Sequence, residues 1–133
     1  MKSQTILIVD DEQPIREYLR RILSREGFEI LESSNGREAL KVFGEQAGKI
    51  NLVLMDISMP QMDGQTCALH MLKDRPHTPV IYMSGDMNPA KMSAELTKSP
   101  MMFLSKPFTT EEILSHARAL LARPEGIELN EPA

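Results

Sequence analysis

Charged residues close three of the chain's short apolar runs. Asp10 and Asp11 follow TILIV, Asp56 follows NLVLM, and Lys106 follows MMFLS; a fourth run, PVIYM, ends in Ser84. A carboxylate at the open end of a buried strand carries a desolvation cost, so it is either a liability or the working group. Several carboxylates in one crevice disfavour one another's ionisation unless a cation enters. An all-oxygen set this small suits Mg²⁺, which keeps several waters and takes one or two carboxylates. Calcium wants more ligands than these positions offer, and zinc lacks the histidine or cysteine it favours. This chemistry requires that residues 46 positions apart be brought together, and the intervening elements must do it.

Two periods alternate along the chain. Thr5 to Val9, Phe28 to Glu32, Asn51 to Met55, Pro79 to Met83 and Met101 to Ser105 are short, apolar and bounded by turn residues, as buried parallel strands are. Helical patterns lie between them. Ile15, Leu19, Ile22 and Leu23 form a stripe entered through Pro14 and closed by Gly27. A second helix is expected over Asn35 to Phe43, a third from about Gly64 to Lys73, and a fourth from Pro89 to near Thr97. The last runs from Thr109 to about Ala122 behind the capping box Thr109-x-x-Glu112. Five β-α units in alternation predict an α/β fold, a parallel sheet with helices on both faces and right-handed crossovers. In such sheets ligands bind at the carboxyl ends of the strands, which is where Asp10, Asp11, Asp56, Ser84 and Lys106 fall. If the strand order is 2-1-3-4-5, the first and third strands are neighbours and the three aspartates meet.

Composition bounds the rest. The 133 residues, 41% hydrophobic and 26% charged, suit one globular domain over residues 1–122, with 123–133 (RPEGIELNEPA) read as a polar tail or linker start. The formal net charge of −4 offers no basic field for nucleic acid or an anionic membrane. No stretch approaches the roughly 18 apolar residues of a membrane span, and no secretory leader is visible, so a cytoplasmic location is expected. The single cysteine, Cys67, reads as core filler.

Four runs, taken in order and spacing, resemble the receiver domain of bacterial two-component response regulators: IVDDE (Ile8 to Glu12), LMDISMPQMDG (Leu54 to Gly64), MSG (Met83 to Gly85) and FLSKPF (Phe103 to Phe108). The resemblance extends to about Ala122 and implies a flavodoxin-like, doubly wound single domain. It implies that Asp56 is a phosphoacceptor served by a sensor histidine kinase or histidine phosphotransfer domain. It also implies Mg²⁺, with Mn²⁺ able to substitute, held by Asp10, Asp11, Asp56 and the Ser58 backbone carbonyl. Lys106 and Ser84 would stabilise the phosphoryl oxygens, and Pro60 and Gly64 would shape the loop after Asp56. Lys106-Pro107 would be a cis peptide. Ser84 and Phe103 would act as the switch that remodels a face made by the fourth helix, fifth strand and fifth helix, for a downstream effector or a second copy of the chain. Ser58 and Met87 would tune phosphate lifetime. Such a chain is a regulator and not an enzyme in the ordinary sense.

The chain departs from the family at Ser99-Pro100, where Gly-Ala is usual, and in its local wealth of methionine. Two rival readings stand beside this one. A receiver-fold interaction module that is not phosphorylated would not need the acids, Ser84 and Lys106. An aspartate-nucleophile phosphatase needs a second acid in an Asp-x-Asp pattern, which Asp56-Ile57-Ser58 lacks. Among other polar residues, His70, His77 and His116 read as surface groups, Arg16, Arg20, Arg21 and Arg25 as a solvated helix face, Asp63 as part of a turn before the third helix, and Glu12 as support for a helix start.

Overall fold

The computed structural model describes residues 3–86 and 91–122; Met87 and the tail at 123–133 lie outside them. Five strands, β1 (Thr5–Val9), β2 (Glu29–Ser33), β3 (Ile50–Asp56), β4 (Val80–Ser84) and β5 (Met101–Ser105), form one sheet in the order β2-β1-β3-β4-β5. Every neighbouring pair is parallel. The parallel sheet is what the alternating periods predict, and its order is the one that the meeting of the three aspartates requires. β1 and β5 match the expected bounds, β2 and β4 start one residue later, and β3 extends to include Asp56 itself.

Strict alternation along the strands sorts the core into two layers, because successive side chains point to opposite faces. Leu7, Val9, Val53, Met55 and Tyr82 pack with α2 (Gly36–Gln46) and α3 (Gly64–Asp74). Ile6, Ile8, Leu52, Leu54, Ile81 and Met83 pack with α1 (Gln13–Arg25) and α4 (Thr110–Leu121). Cys67 is fully buried in the first layer and burial, then the nearby Asp63 charge, pushes its thiol up to about 12, which makes it an inert core side chain.

Local sequence sets the helix ends. Pro14 sits in the first turn of α1, and Gly27, at φ +94°, lets the chain leave it. There the N–H groups of Gly27 and Phe28 donate to the carbonyls of Ser24 and Leu23 at 3.0 and 3.2 Å. Asn35 and Asp63 cap α2 and α3 by accepting from the N–H groups of Glu38 and Thr66. Thr109 and Glu112 form the expected capping box of α4. The first and last helices are stitched together by a Tyr18–Thr110 hydroxyl bond, by Tyr18 against the Phe108 ring, and by an Arg118–Glu26 ion pair.

The expected fourth helix, Pro89 to Thr97, requires correction. Residues 87–90 lie outside the described residues, and within 91–98 the helical structure that forms over several residues is a single 3₁₀ turn at Leu96–Lys98. Among the described residues of this stretch only Leu96 is fully buried, with Met92 packed partly against the same core, so little apolar surface draws an α-helix onto the sheet. Gln65 of α3 also takes up backbone groups that a helix would use: its amide oxygen accepts from Ser93 N–H at 2.9 Å and its amide nitrogen faces the Lys91 carbonyl at 3.5 Å. The helix expected fifth in the chain is therefore α4.

Candidate functional site

Register brings the acids together. Val9 of β1 pairs with Met55 of β3, so Asp10 and Asp56, one residue further on, end neighbouring strands side by side. Asp10 is fully buried and Asp56 is 2% exposed. Carboxylate oxygens of Asp10, Asp11 and Asp56 lie within 4.8 Å of one another, with Asp11 on the exposed side.

Each acid has partners that fix it. Asp10 Oδ1 accepts from the Glu12 N–H at 2.9 Å and its Oδ2 accepts from Lys106 Nζ at 2.9 Å. Asp56 Oδ1 accepts from the Ser58 N–H at 3.1 Å, and Lys106 Nζ stands 3.6 Å away. Lys106 reaches this point because its own N–H extends the β4–β5 ladder, donating to the Ser84 carbonyl at 2.9 Å. The peptide that follows it, Lys106–Pro107, is cis.

Electrostatics follow from the crowding. Burial first, then the Asp10 charge, raise Asp56 from an ordinary 3.8 to about 7; a hydrogen bond that the protonated Asp56 donates to Asp11 adds to the rise, and Lys106 and the Ser58 N–H oppose it. Burial works against the Lys106 ammonium, but the hydrogen bond and charge of Asp10, then Asp56 and Glu12, outweigh it and hold Lys106 above the usual lysine value. One lysine does not neutralise this set. The residues therefore fit a hard divalent cation: the donors are all oxygen, two of the three acids are buried, their repulsion is expressed in Asp56, and exposed Asp11 leaves one side open to water.

The loop after Asp56 folds back on it. A Cβ on Gly64 would lie 2.2 Å from the Asp56 carbonyl oxygen and 2.8 Å from Ile57 Cα, so this position admits only glycine. The Gly64 N–H donates to the Ile57 carbonyl at 2.9 Å, closing the loop. Gln61 takes φ 69° within it, a left-handed conformation uncommon outside glycine.

Ser84 ends β4, one residue beyond Met83, the register partner of Asp56. Its hydroxyl accepts from the Asp86 N–H at 3.1 Å. Phe103 lies on the neighbouring strand, half-buried, its ring tilted against that of Tyr82 with centroids 6.3 Å apart. Ser58 is exposed beside Asp56. Thus Asp10, Asp11, Asp56, Ser58, Ser84 and Lys106 share one sheet edge, and Phe103 lies on the face below it.

Several residues have more to do than the sequence reading gives them. Arg16 donates to the Asp10 carbonyl at 2.7 Å and pairs with Glu32 at 3.4 Å, so it braces the acidic loop and is not a solvated charge. His116 points a ring nitrogen at the Phe103 carbonyl at 3.0 Å, and its other ring nitrogen is buried without a partner among the described residues. Glu12 is the N-cap residue of α1 and its carbonyl accepts from the Arg16 N–H at 3.2 Å, but its side chain makes no capping bond and its carboxylate lies 3.6 Å from Lys106. Asp63 does cap α3, and His70 and His77 are exposed, as expected.

The chain belongs to the response regulator receiver domain family, whose model matches residues 6–118. Among relatives, it is 35% identical over 132 residues to the transcriptional regulatory protein SrrA of Staphylococcus aureus, covering 98% of this chain and 54% of that one. The chain thus spans about half the length of the curated relatives it matches. Its fold is similar to a response regulator receiver domain protein from Clostridium thermocellum, with TM-score 0.83 and 27% identity over 90% of this chain and 95% of that one. It is equally similar to a chain of the CheX-CheY-BeF3-Mg complex of Borrelia burgdorferi, with TM-score 0.83 and 27% identity over 90% of each chain. The receiver domain of the hybrid histidine kinase CckA is 31% identical with TM-score 0.75, over 88% of this chain and 98% of that one. The chain is a receiver domain of the two-component type, and among the described residues no helix is long and apolar enough to cross a membrane.

Proposed function

We propose that this domain accepts a phosphoryl group on Asp56 from the phosphohistidine of a sensor kinase or phosphotransfer domain, and passes the signal by a population shift. An Asp56 carboxylate oxygen attacks phosphorus, the P–N bond breaks, and the imidazole leaves with the electron pair and takes up a proton. The observation that carries this reading is the juxtaposition of buried Asp56 with Asp10 on the adjacent strand and one lysine facing both. Phosphoryl transfer asks mainly for positioning and charge neutralisation.

Asp10, Asp11 and Asp56, with the Ser58 carbonyl, would hold Mg²⁺ or in its place Mn²⁺. Bound there, the cation neutralises charge on the transferring oxygens. Lys106 supplies positive charge to the same anion, and the Ser84 hydroxyl turns from Asp86 to donate to another oxygen. Loss of one such stabiliser costs about 3 kcal/mol, roughly a hundredfold in rate. Ser84 and Phe103 together bias the face formed by the 3₁₀ turn, β5 and α4, which an effector protein or a second copy reads. About 5.5 kcal/mol of differential binding carries such an equilibrium from 1:99 to 99:1. Ser58 and Met87 set the lifetime of the aspartyl phosphate, and a half-life unchanged in Met87→Ala would remove Met87 from that role. The setting is cytoplasmic, which the single reduced thiol suits.

The test is mass spectrometry after incubation with Mg²⁺ and acetyl phosphate or a cognate kinase. One added phosphoryl group, absent in Asp56→Asn, supports the reading; turnover of phosphate esters supports a phosphatase, and no modification supports a phosphorylation-independent interaction module.

A further inference from the structure

Lys106 faces three carboxylates. Its ammonium lies 2.9 Å from Asp10 Oδ2 and 3.6 Å from both Asp56 Oδ1 and Glu12 Oε1. Only the first distance is that of a hydrogen bond. The Asp10 and Asp56 side chains are almost wholly enclosed, whereas the Glu12 side chain is 59% exposed, at the mouth of the site. Glu12 is aimed there by its own backbone, whose N–H donates to Asp10 Oδ1, and its side chain has no helix-capping duty to hold it elsewhere.

An ammonium has three N–H groups. Asp10 engages one, and the remaining charge is shared between an acceptor carboxylate and a solvent-side carboxylate at equal distance. Any anion that comes to rest on Asp56 must draw Lys106 inward, against Glu12.

We propose that Glu12 is a positioning residue that competes for the Lys106 ammonium and thereby limits how tightly the site closes on a phosphoryl group at Asp56. The inference rests on Asp56 being the phosphoacceptor. Because the Glu12 side of the contact is in water, its influence is a few-fold and falls with salt.

The probe is beryllofluoride, a phosphoryl mimic, titrated into the full chain at saturating Mg²⁺ and followed by NMR. Glu12→Gln is expected to tighten binding about three-fold at low salt, on the order expected for an exposed ion pair, with the gain shrinking at high salt. Glu12→Asp keeps the charge but draws it back from Lys106, so it is expected to behave like Glu12→Gln. In a Lys106→Gln background the Glu12→Gln gain should vanish. Wild-type affinity in Glu12→Gln, wild-type affinity in Glu12→Asp beside a gain in Glu12→Gln, or an equal gain with and without Lys106, would each overturn the proposal. Failure of the underlying reading looks different: wild-type protein would neither bind beryllofluoride nor be phosphorylated on Asp56.

Discussion

The Lys106 ammonium is hydrogen-bonded to Asp10 at 2.9 Å, while the acceptor Asp56 stands 3.6 Å from it. The lysine is thus committed to a neighbour of the acceptor, and the acceptor is left under-neutralised. Removing its charge should relieve the metal-free protein. Asp56→Asn is expected to raise its unfolding free energy at pH 8 by about 1–3 kcal/mol in urea, the order of the desolvation cost of an unsatisfied buried group. Destabilisation by the same substitution would show that Asp56 is satisfied as it stands.

The same crowding sets a pH dependence. The folded-state value of Asp56 is raised from 3.8 to about 7, so between these limits the folded protein binds more protons than the unfolded chain. Stability contributed by this group is therefore present below about pH 4 and is lost as pH rises through 7, by roughly 4 kcal/mol at most. Urea titrations of metal-free protein from pH 4 to 8 should show this fall superimposed on other groups, and its absence in Asp56→Asn. Millimolar Mg²⁺ should restore stability above pH 7, since cation binding favours the ionised acid.

Gly64 carries the tightest steric constraint near the site. Because an added Cβ would meet the Asp56 carbonyl at 2.2 Å, Gly64→Ala must displace the loop. An expected loss of 3 kcal/mol or more, about the upper range for point changes, should appear in denaturant unfolding together with slowed phosphorylation.

Tyr82 offers the opposite case. Its ring is wholly buried on β4 and its hydroxyl has no hydrogen-bond partner among the described residues; burial, then the Cys67 thiol, raise its titration far out of reach of physiological pH. Deleting an unsatisfied hydroxyl removes a desolvation cost, so Tyr82→Phe should be neutral or stabilising by about 1 kcal/mol. A loss of stability on thermal unfolding would reveal a partner that the hydroxyl finds in another state.

Much of this arrangement is legible in sequence because both periods are clean. Apolar runs bounded by turns mark the strands, and the residues just past them fall at one sheet edge whatever their tertiary contacts. The capping pair Thr109 and Glu112 and the Gly27 exit are equally local signals. What is not local is not legible. Arg16 looks like its neighbours on α1 until β2 brings Glu32 beside it, and His116 looks like a surface residue until β5 presents the Phe103 carbonyl. The expected fourth helix fails for the same reason: Gln65, some 28 residues upstream of Ser93, takes the backbone groups that local pattern assigns to a helix.

The stitches between α1 and α4 tie residue 18 to residue 110 and residue 26 to residue 118. These two helices roof the same side of the sheet, over Ile6, Ile8, Leu52 and Leu54. Losing α4 would strip Ile113, Ala117 and Leu120 from this layer and wet the central strands, so trimming it is expected to yield not a smaller folded receiver but a chain that opens as one unit, acid pocket included.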